Sequence, residues 1–272
     1  MLLDAITNHF TTTRGALRLT DAVAYRQDAG HALNQLAVIW NHGEDVVPFV
    51  TGETYDAAAV QAMLRAADAA FPDIKQRLMA TCAVDRVPDC VALLGNGTAS
   101  GHAVMLDGAG YAWIALEAYT TRKQVEVFMT HELAHAIHYR TSPEWYPSTR
   151  DAYFRTGRAV FTEGLASFVT MRALGISEGD ALWADYRPAA WVHDWMTSLA
   201  ASEHEAWQRL RGTWAATADA TLLTANDDAP HVHNRAGYFY GMRLAAQLAQ
   251  QMSIRELLSL HPAEVASFIT HE

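Results

Sequence analysis

Residues 121–140 read TRKQVEVFMTHELAHAIHYR and predict one long helix. Thr121 and, three residues later, Gln124 are typical of a capping box at a helix N-terminus. Apolar side chains then recur at helical spacing as far as about Arg140. These apolar positions are Val125, Phe128, Met129, Leu133, Ala136 and Ile137. We therefore expect this stretch to be a largely buried helix.

The same stretch contains the motif His131-Glu132-Leu133-Ala134-His135, an HExxH. At positions i and i+4 the two imidazoles project from one face, at the separation that two ligands of one zinc ion require. Glu132 is rotated by about 100° around the helix and can reach a water molecule on the metal. A bound ion would also satisfy polar groups that are otherwise costly to bury. We expect one zinc ion per chain at His131 and His135, with Glu132 as catalytic base; a polar stripe facing a wet cleft is the alternative.

A catalytic zinc site needs a third protein ligand and one open position. The elongated motif HExxHxxGxxH is excluded, because His138 and Thr141 stand where it requires glycine and histidine. Two downstream carboxylates remain: Asp151 in a proline-flanked loop, and Glu163 on a second predicted helix. Glu163 is the better placed, since Gly164 and Ala166 after it would let that helix approach the HExxH helix closely.

The remaining pattern predicts strands first and helices later, which is an α+β fold class. Short apolar runs between glycine-rich turns predict a strand meander, and the glycine-rich stretch 95–101 is expected to be a hairpin loop within it. Two further apolar runs in the first 50 residues are expected to be strands, and Pro72 is expected to end a helix. The predicted strands are 36–40, 46–50, 90–94, 101–106 and 111–116, and the predicted helices are 55–71, 121–140, 158–174, 191–211, 237–252 and 262–269.

The 272 residues are 50% hydrophobic, which is enough for a packed core, and they are expected to form a single domain. Within it we expect an N-terminal α/β lobe at about 50–140 and a helical lobe at about 141–272, with 1–50 unassigned. A net charge of −10 disfavours nucleic acid and anionic lipid as partners. No apolar run reaches the roughly 18–20 residues of a membrane helix. No secretory signal is visible, so a cytoplasmic location is expected.

HELAH at 131–135, followed by TEGLASF at 162–168, resembles the gluzincin metallopeptidases. Within them it resembles the group of peptidase-MA-like predicted zinc proteases, in which a helix of EGLA type supplies a glutamate ligand. The resemblance implies a zincin-like fold, Glu163 as the third zinc ligand, and hydrolysis of a peptide or protein substrate. The 27 residues between His135 and Glu163 exceed the spacing in thermolysin-like members and indicate an inserted loop at 141–157.

Two weaker similarities extend the resemblance. The stretch 101–105 lies where gluzincins place the edge strand that pairs with an extended peptide. Tyr238 resembles the tyrosine of aminopeptidase-type gluzincins that stabilises the oxyanion, with His231 and His233 as rival donors. The implied mechanism is hydrolysis by a zinc-activated water, with Glu132 taking the proton and later delivering it to the leaving amine. The alternative is a non-catalytic zinc-binding or peptide-binding protein that retains the zincin scaffold.

Overall fold

The computed structural model describes residues 2–106, 108–217, 222–223 and 234–270. The chain divides into two compact units. The first contains the described residues up to 77 and those from 86 to 140, and the second contains residues 78–85 and those from 141 onward. All named strands lie in the first unit, whereas the second is built from helices. The predicted α+β class is therefore confirmed.

Seven strands are present in the described part of the first unit, in two small sheets. They are β1 (Leu2–Asp4), β2 (Phe10–Thr13), β3 (Ala16–Leu19), β4 (Tyr55–Asp56), β5 (Asp89–Leu93), β6 (Gly101–Leu106) and β7 (Ala109–Ala115). The larger sheet has the order β1-β5-β7-β6, with β5 parallel to both neighbours and β6 antiparallel to β7. The smaller sheet is antiparallel, in the order β2-β3-β4.

The predicted strands at 90–116 exist, but the predicted meander is wrong. β6 follows β5 in the chain, yet it pairs with the far side of β7 instead of with β5. The reason lies in β5, where four consecutive residues from Cys90 to Leu93 are buried. A continuous apolar run is typical of a strand between two parallel neighbours. The predicted hairpin loop at 95–101 is consequently wrong: residues 95–100 connect β5 to the non-adjacent strand β6, and Gly101 begins that strand.

The helices that lie wholly or mostly in the first unit include the one that carries HExxH. They are α1 (Ala22–Gln35), a π-helix (Leu36–Trp40), α2 (Val47–Gly52), α3 (Ala57–Cys82), a 3₁₀ turn (Leu116–Ala118) and α4 (Arg122–Thr141). The last five residues of α3 and the last residue of α4 belong to the second unit. The predicted strands at 36–40 and 46–50 are wrong, because these runs are the π-helix and α2. Periodicity alone does not separate short apolar runs of strand from those of helix. Here α1 continues directly into the π-helix, and a proline in the first turn starts α2.

The predicted helix end at Pro72 is also wrong, because α3 continues through this proline to Cys82. A proline inside a helix removes one backbone hydrogen bond and costs about 3 kcal/mol. The following turns compensate by packing, since Ile74, Leu78 and Cys82 are all buried at helical spacing. Burial of the isoleucine and leucine side chains contributes about 1.5–3 kcal/mol each. The helix is therefore maintained by its apolar face and not by its local sequence.

The predicted HExxH helix is confirmed as α4, and its N-terminus is capped much as expected. The hydroxyl of Thr121 accepts a hydrogen bond from the backbone N–H of Gln124 at 3.2 Å. The Gln124 side chain, however, accepts from the N–H of Thr120 at 2.7 Å, one residue earlier than in a capping box. Every residue from 127 to 139 is buried. This helix is thus a core element whose polar residues are removed from water.

The second unit is helical, and none of the described helices of the chain is long and apolar enough to cross a membrane. Its helices are α5 (Arg150–Tyr153), α6 (Thr156–Leu174), α7 (Glu178–Trp183), α8 (Ala189–Ala201), α9 (Glu203–Thr213), α10 (Ala236–Leu248), α11 (Ile254–Leu258) and α12 (Pro262–Thr270). The helix predicted at 158–174 is α6, and Gly175 ends it with a φ of 66°. The single helix predicted at 191–211 is two helices, α8 and α9, which meet at Ser202.

Two glycines bring α6 and α10 into backbone contact. A Cβ built on Gly164 would overlap the backbone of Gly241 and Met242, and a Cβ built on Gly241 would overlap the carbonyl oxygen of Val160. The same Cβ on Gly241 would lie 3.0 Å from Cα of Gly164. The expectation that Gly164 serves an approach to the HExxH helix is therefore wrong. Its nearest neighbours belong to α10.

Gly164→Ala is expected to destabilise the protein by about 3 kcal/mol, because an added methyl group at a position where two helix backbones are in contact forces the helices apart. The measurement is the free energy of unfolding from urea denaturation. Gly212→Ala in α9 is the matched control, since no atom lies within 4 Å of a Cβ at that position. Alanine is the better helix former, so the control should be neutral or slightly stabilising. Equal free energies of unfolding for the two variants would contradict the backbone contact between α6 and α10.

Candidate metal site

His131 and His135 lie one turn apart on α4, and both side chains are buried. Their Nε2 atoms are 3.0 Å apart, and their ring planes are inclined by 81°. Two nitrogen ligands of one tetrahedral zinc ion, each bound at about 2.0–2.1 Å, would lie about 3.3 Å apart. The two imidazoles therefore need only a small adjustment to share one metal ion.

Glu132 lies against one face of the larger sheet, at the first residue of the outermost strand, β6. A Cβ built on Gly101, the first residue of β6, would lie 2.8 Å from Cγ of Glu132 and 2.9 Å from the carbonyl oxygen of Trp113. A side chain at position 101 would displace Glu132, so glycine allows this close contact. The Glu132 carboxylate also affects a thiol on β5. Burial raises the pKa of Cys90, and the negative charge of the nearby Glu132 raises that pKa further.

The loop that leads into Gly101 is held by a second carboxylate. Oε1 of Glu117 accepts hydrogen bonds from the N–H of Gly95 at 2.9 Å and from that of Gly97 at 3.4 Å. Burial raises the pKa of Glu117 to about 7, against the lowering effect of these backbone donors. Because the Glu117 carboxylate binds the N–H groups of both glycines, it anchors the loop a few residues before Gly101, the residue that contacts Glu132.

Glu163 lies on α6 and is 3% exposed. The hydroxyl of Tyr153, also buried, donates a hydrogen bond to Oε1 of Glu163 at 3.3 Å. Tyr153 is itself fixed by Arg158, whose guanidinium lies 5.0 Å from the ring centroid and donates to the Tyr153 carbonyl oxygen at 3.2 Å. A hydrogen bond of this kind fixes the orientation of a ligating carboxylate. Sequence reasoning missed Tyr153, since no motif marks it.

The structure brings His131, His135 and Glu163 together. One ligand atom from each residue lies within 4.8 Å of the others, and all three side chains are buried. Two neutral imidazoles and a carboxylate are a donor set that catalytic zinc sites use. This buried group could bind a metal ion. Comparisons with protein-family models, curated proteins and solved structures found no match for this chain.

The other predicted site residues stand apart from that group. Asp151, the alternative carboxylate, lies on α5, is exposed, and does not belong to the group found among the described residues. Tyr238 lies in the first turn of α10, half-buried, with the Arg235 guanidinium 4.1 Å from its ring centroid. Its role as oxyanion donor stays a prediction. His231 and His233 lie outside the described residues.

Proposed function

We propose that this protein is a zinc-dependent peptidase of the gluzincin type, with one zinc ion held by His131, His135 and Glu163. The observation that carries this proposal is the buried group of two imidazoles and one carboxylate, with a ligand atom of each within 4.8 Å of the others. The HExxH spacing and the EGLA segment of α6 support zinc as the ion and a zincin-like fold.

When bound, zinc supplies a Lewis acid that polarises a peptide carbonyl and lowers the pKa of water toward 7. Glu132 then acts as general base and general acid: its carboxylate takes the proton of the attacking water and delivers it to the leaving amine. Its burial, at 7% exposed, keeps competing water away from this carboxylate. The Tyr153 hydroxyl orients the Glu163 carboxylate through its hydrogen bond.

Tyr238 is the proposed oxyanion donor. Its hydroxyl would donate to the carbonyl oxygen on which negative charge develops, a contribution typical of preorganised donors in acyl transfer. The cation of Arg235 lies against the face of the Tyr238 ring, 4.1 Å from its centroid. Such a contact is worth about 0.5–2 kcal/mol and holds the ring in one orientation. The substrate class that follows from this machinery is a peptide or protein.

Purified protein is expected to contain close to one zinc ion per chain, measured by elemental analysis. Chelation should abolish peptide hydrolysis and lower the melting temperature, because the ion binds the folded state. Readdition of zinc should restore both. His131→Ala should lose most of the metal, whereas His31→Ala, a control at an exposed position of α1, should keep it. Stoichiometric zinc in a His131→Ala, His135→Ala double variant would contradict the site.

A further inference from the structure

The two faces of the larger sheet contact different helices. On one face, a Cβ built on Gly110 of β7 would lie 2.9 Å from the carbonyl oxygen of Ala136 in α4. Side chains alternate between the faces of a strand, so Trp113, three residues further on, faces the other way. There Nε1 of Trp113 donates a hydrogen bond to the side chain of Gln35, the last residue of α1, at 3.2 Å. α1 therefore lies on the face opposite to the HExxH helix.

An open cavity of about 440 Å³ lies between α1 and this second face. Its floor includes Leu3, Val91 and Tyr111, which come from β1, β5 and β7. The strand registers place all three on the face of Trp113, because Val91 pairs with Trp113 and Leu3 pairs with Val91, while Tyr111 is two residues before Trp113. The floor of the cavity is thus a regular and largely apolar part of the sheet.

The wall of the cavity opposite the floor is formed by α1. Ala29 and Ala32 line it, and their short side chains leave space that larger residues at these positions would fill. The cavity volume lies within the range of about 300–1,000 Å³ that is typical of small-molecule sites. Such sites combine apolar walls with a few polar groups that orient the ligand. The charged residues at the cavity therefore indicate which ligand it fits.

One arginine at the cavity is held in place by the backbone. Arg140, the residue before the last of α4, lines the cavity, and its Nη2 donates to the carbonyl oxygen of Arg86 at 2.5 Å. Arg86 precedes β5 by three residues, so this guanidinium lies at the end of the sheet where β5 begins. Throughout the described ranges, no carboxylate forms an ion pair with Arg140. Most of its five N–H donors thus remain for a ligand.

The acidic residues that line the cavity, in contrast, have partners. Asp28 accepts a hydrogen bond from Nε2 of His9 at 2.7 Å, and Oδ2 of Asp89 lies 3.8 Å from Nη2 of Arg86. His31, an exposed side chain of α1, lines the cavity as well and can donate to an anion. The charge that a ligand would complete is therefore the cation at the end of α4.

We propose that this cavity binds a small organic monocarboxylate, whose carboxylate pairs with Arg140 and whose apolar part lies between α1 and the sheet. A planar guanidinium matches a carboxylate through two parallel N–H···O bonds. Ala29, Ala32 and Val91 supply the contact that favours transfer of a carbon chain or ring out of water. The site lies on the face of the sheet opposite to Glu132, and the inference does not depend on the proposed peptidase function.

The test titrates the full chain with four probes by isothermal titration calorimetry at constant ionic strength. Hexanoate has the proposed chemistry, hexanamide lacks the charge, hexylamine reverses it, and acetate lacks the apolar part. Hexanoate is expected to bind once per chain and about ten- to a hundredfold more tightly than hexanamide, because hydrogen bonds to a charged group contribute on this scale. Hexylamine and acetate should bind more weakly than hexanoate by at least the same factor.

Arg140→Gln should lower the affinity for hexanoate to that for hexanamide, again by about ten- to a hundredfold. The matched control is Arg122→Gln at the other end of α4, where the side chain is 67% exposed, and it should leave the affinity unchanged. Ala32→Leu should weaken hexanoate and hexanamide alike, since the larger side chain fills the space between α1 and the floor. Circular dichroism checks that each variant folds.

Carboxylates also bind zinc, so His131→Ala is titrated as well and should bind hexanoate like the unmodified protein. Binding that is lost in His131→Ala and kept in Arg140→Gln would place the probe at the proposed metal site and overturn the inference. Three results with the unmodified protein would overturn it without any variant. They are equal affinities for hexanoate and hexanamide, tighter binding of hexylamine than of hexanoate, and the absence of saturable hexanoate binding.

Discussion

Glu132→Gln is expected to abolish peptide hydrolysis while leaving the metal content and the fold intact. We expect a fall in kcat of about 10³–10⁴-fold, because general acid and base catalysis by one positioned group contributes on this scale. The glutamine is nearly isosteric, so its contact with Gly101 is kept, but it takes no proton from water. Glu132 is outside the group of proposed ligands, which is why zinc should remain bound.

The control for this experiment is Glu126→Gln on the same helix. Glu126 forms a surface ion pair with Arg122 at 2.5 Å, and such pairs contribute at most about 1 kcal/mol to stability. Its kcat and zinc content should therefore equal those of the unmodified protein. Full activity of Glu132→Gln would show that Glu132 is not the catalytic base. Zinc binding without hydrolysis in every variant and in the unmodified protein would favour the non-catalytic binding protein.

The second large effect concerns the third ligand. Glu163→Ala is expected to lower zinc affinity by more than about 10²-fold, because a direct ligand contributes more than the outer groups that orient it. Asp151→Ala is the comparison, and it should leave affinity unchanged since Asp151 is exposed on α5. Affinities are measured by competition with a zinc-sensitive chelator. The reverse result would assign the protein to a class with an aspartate ligand.

The parts of the fold that were predictable from sequence are those with long, regular patterns. α4 and α6 have apolar positions at helical spacing over several turns, and a clear signal marks one end of each: Thr121 for α4 and Gly175 for α6. The HExxH spacing places two imidazoles together whenever the helix forms, so that part of the site needs only local structure. The proximity of Glu163 was predictable in kind, through its resemblance to an EGLA helix.

The errors arise where tertiary packing overrides a local signal. Pro72 is a strong helix breaker, but the buried side chains after it maintain α3. The order of β5, β6 and β7 depends on which strands pair, and short apolar runs carry no information about pairing partners. Tyr153 acts through a contact with Glu163, which lies 10 positions away in the sequence. A single sequence carries no signal for such contacts.

The backbone contact of α6 and α10 at Gly164 and Gly241 also links two proposed functional residues, so that they move together. Glu163 immediately precedes Gly164, and Tyr238 lies about one turn before Gly241, so each is carried by the backbone that this contact locks. Neither helix can slide past the other without steric overlap. We therefore expect any motion within the second unit to displace the Glu163 carboxylate and the Tyr238 phenol together. The distance between the proposed metal ligand and the proposed oxyanion donor would then stay unchanged.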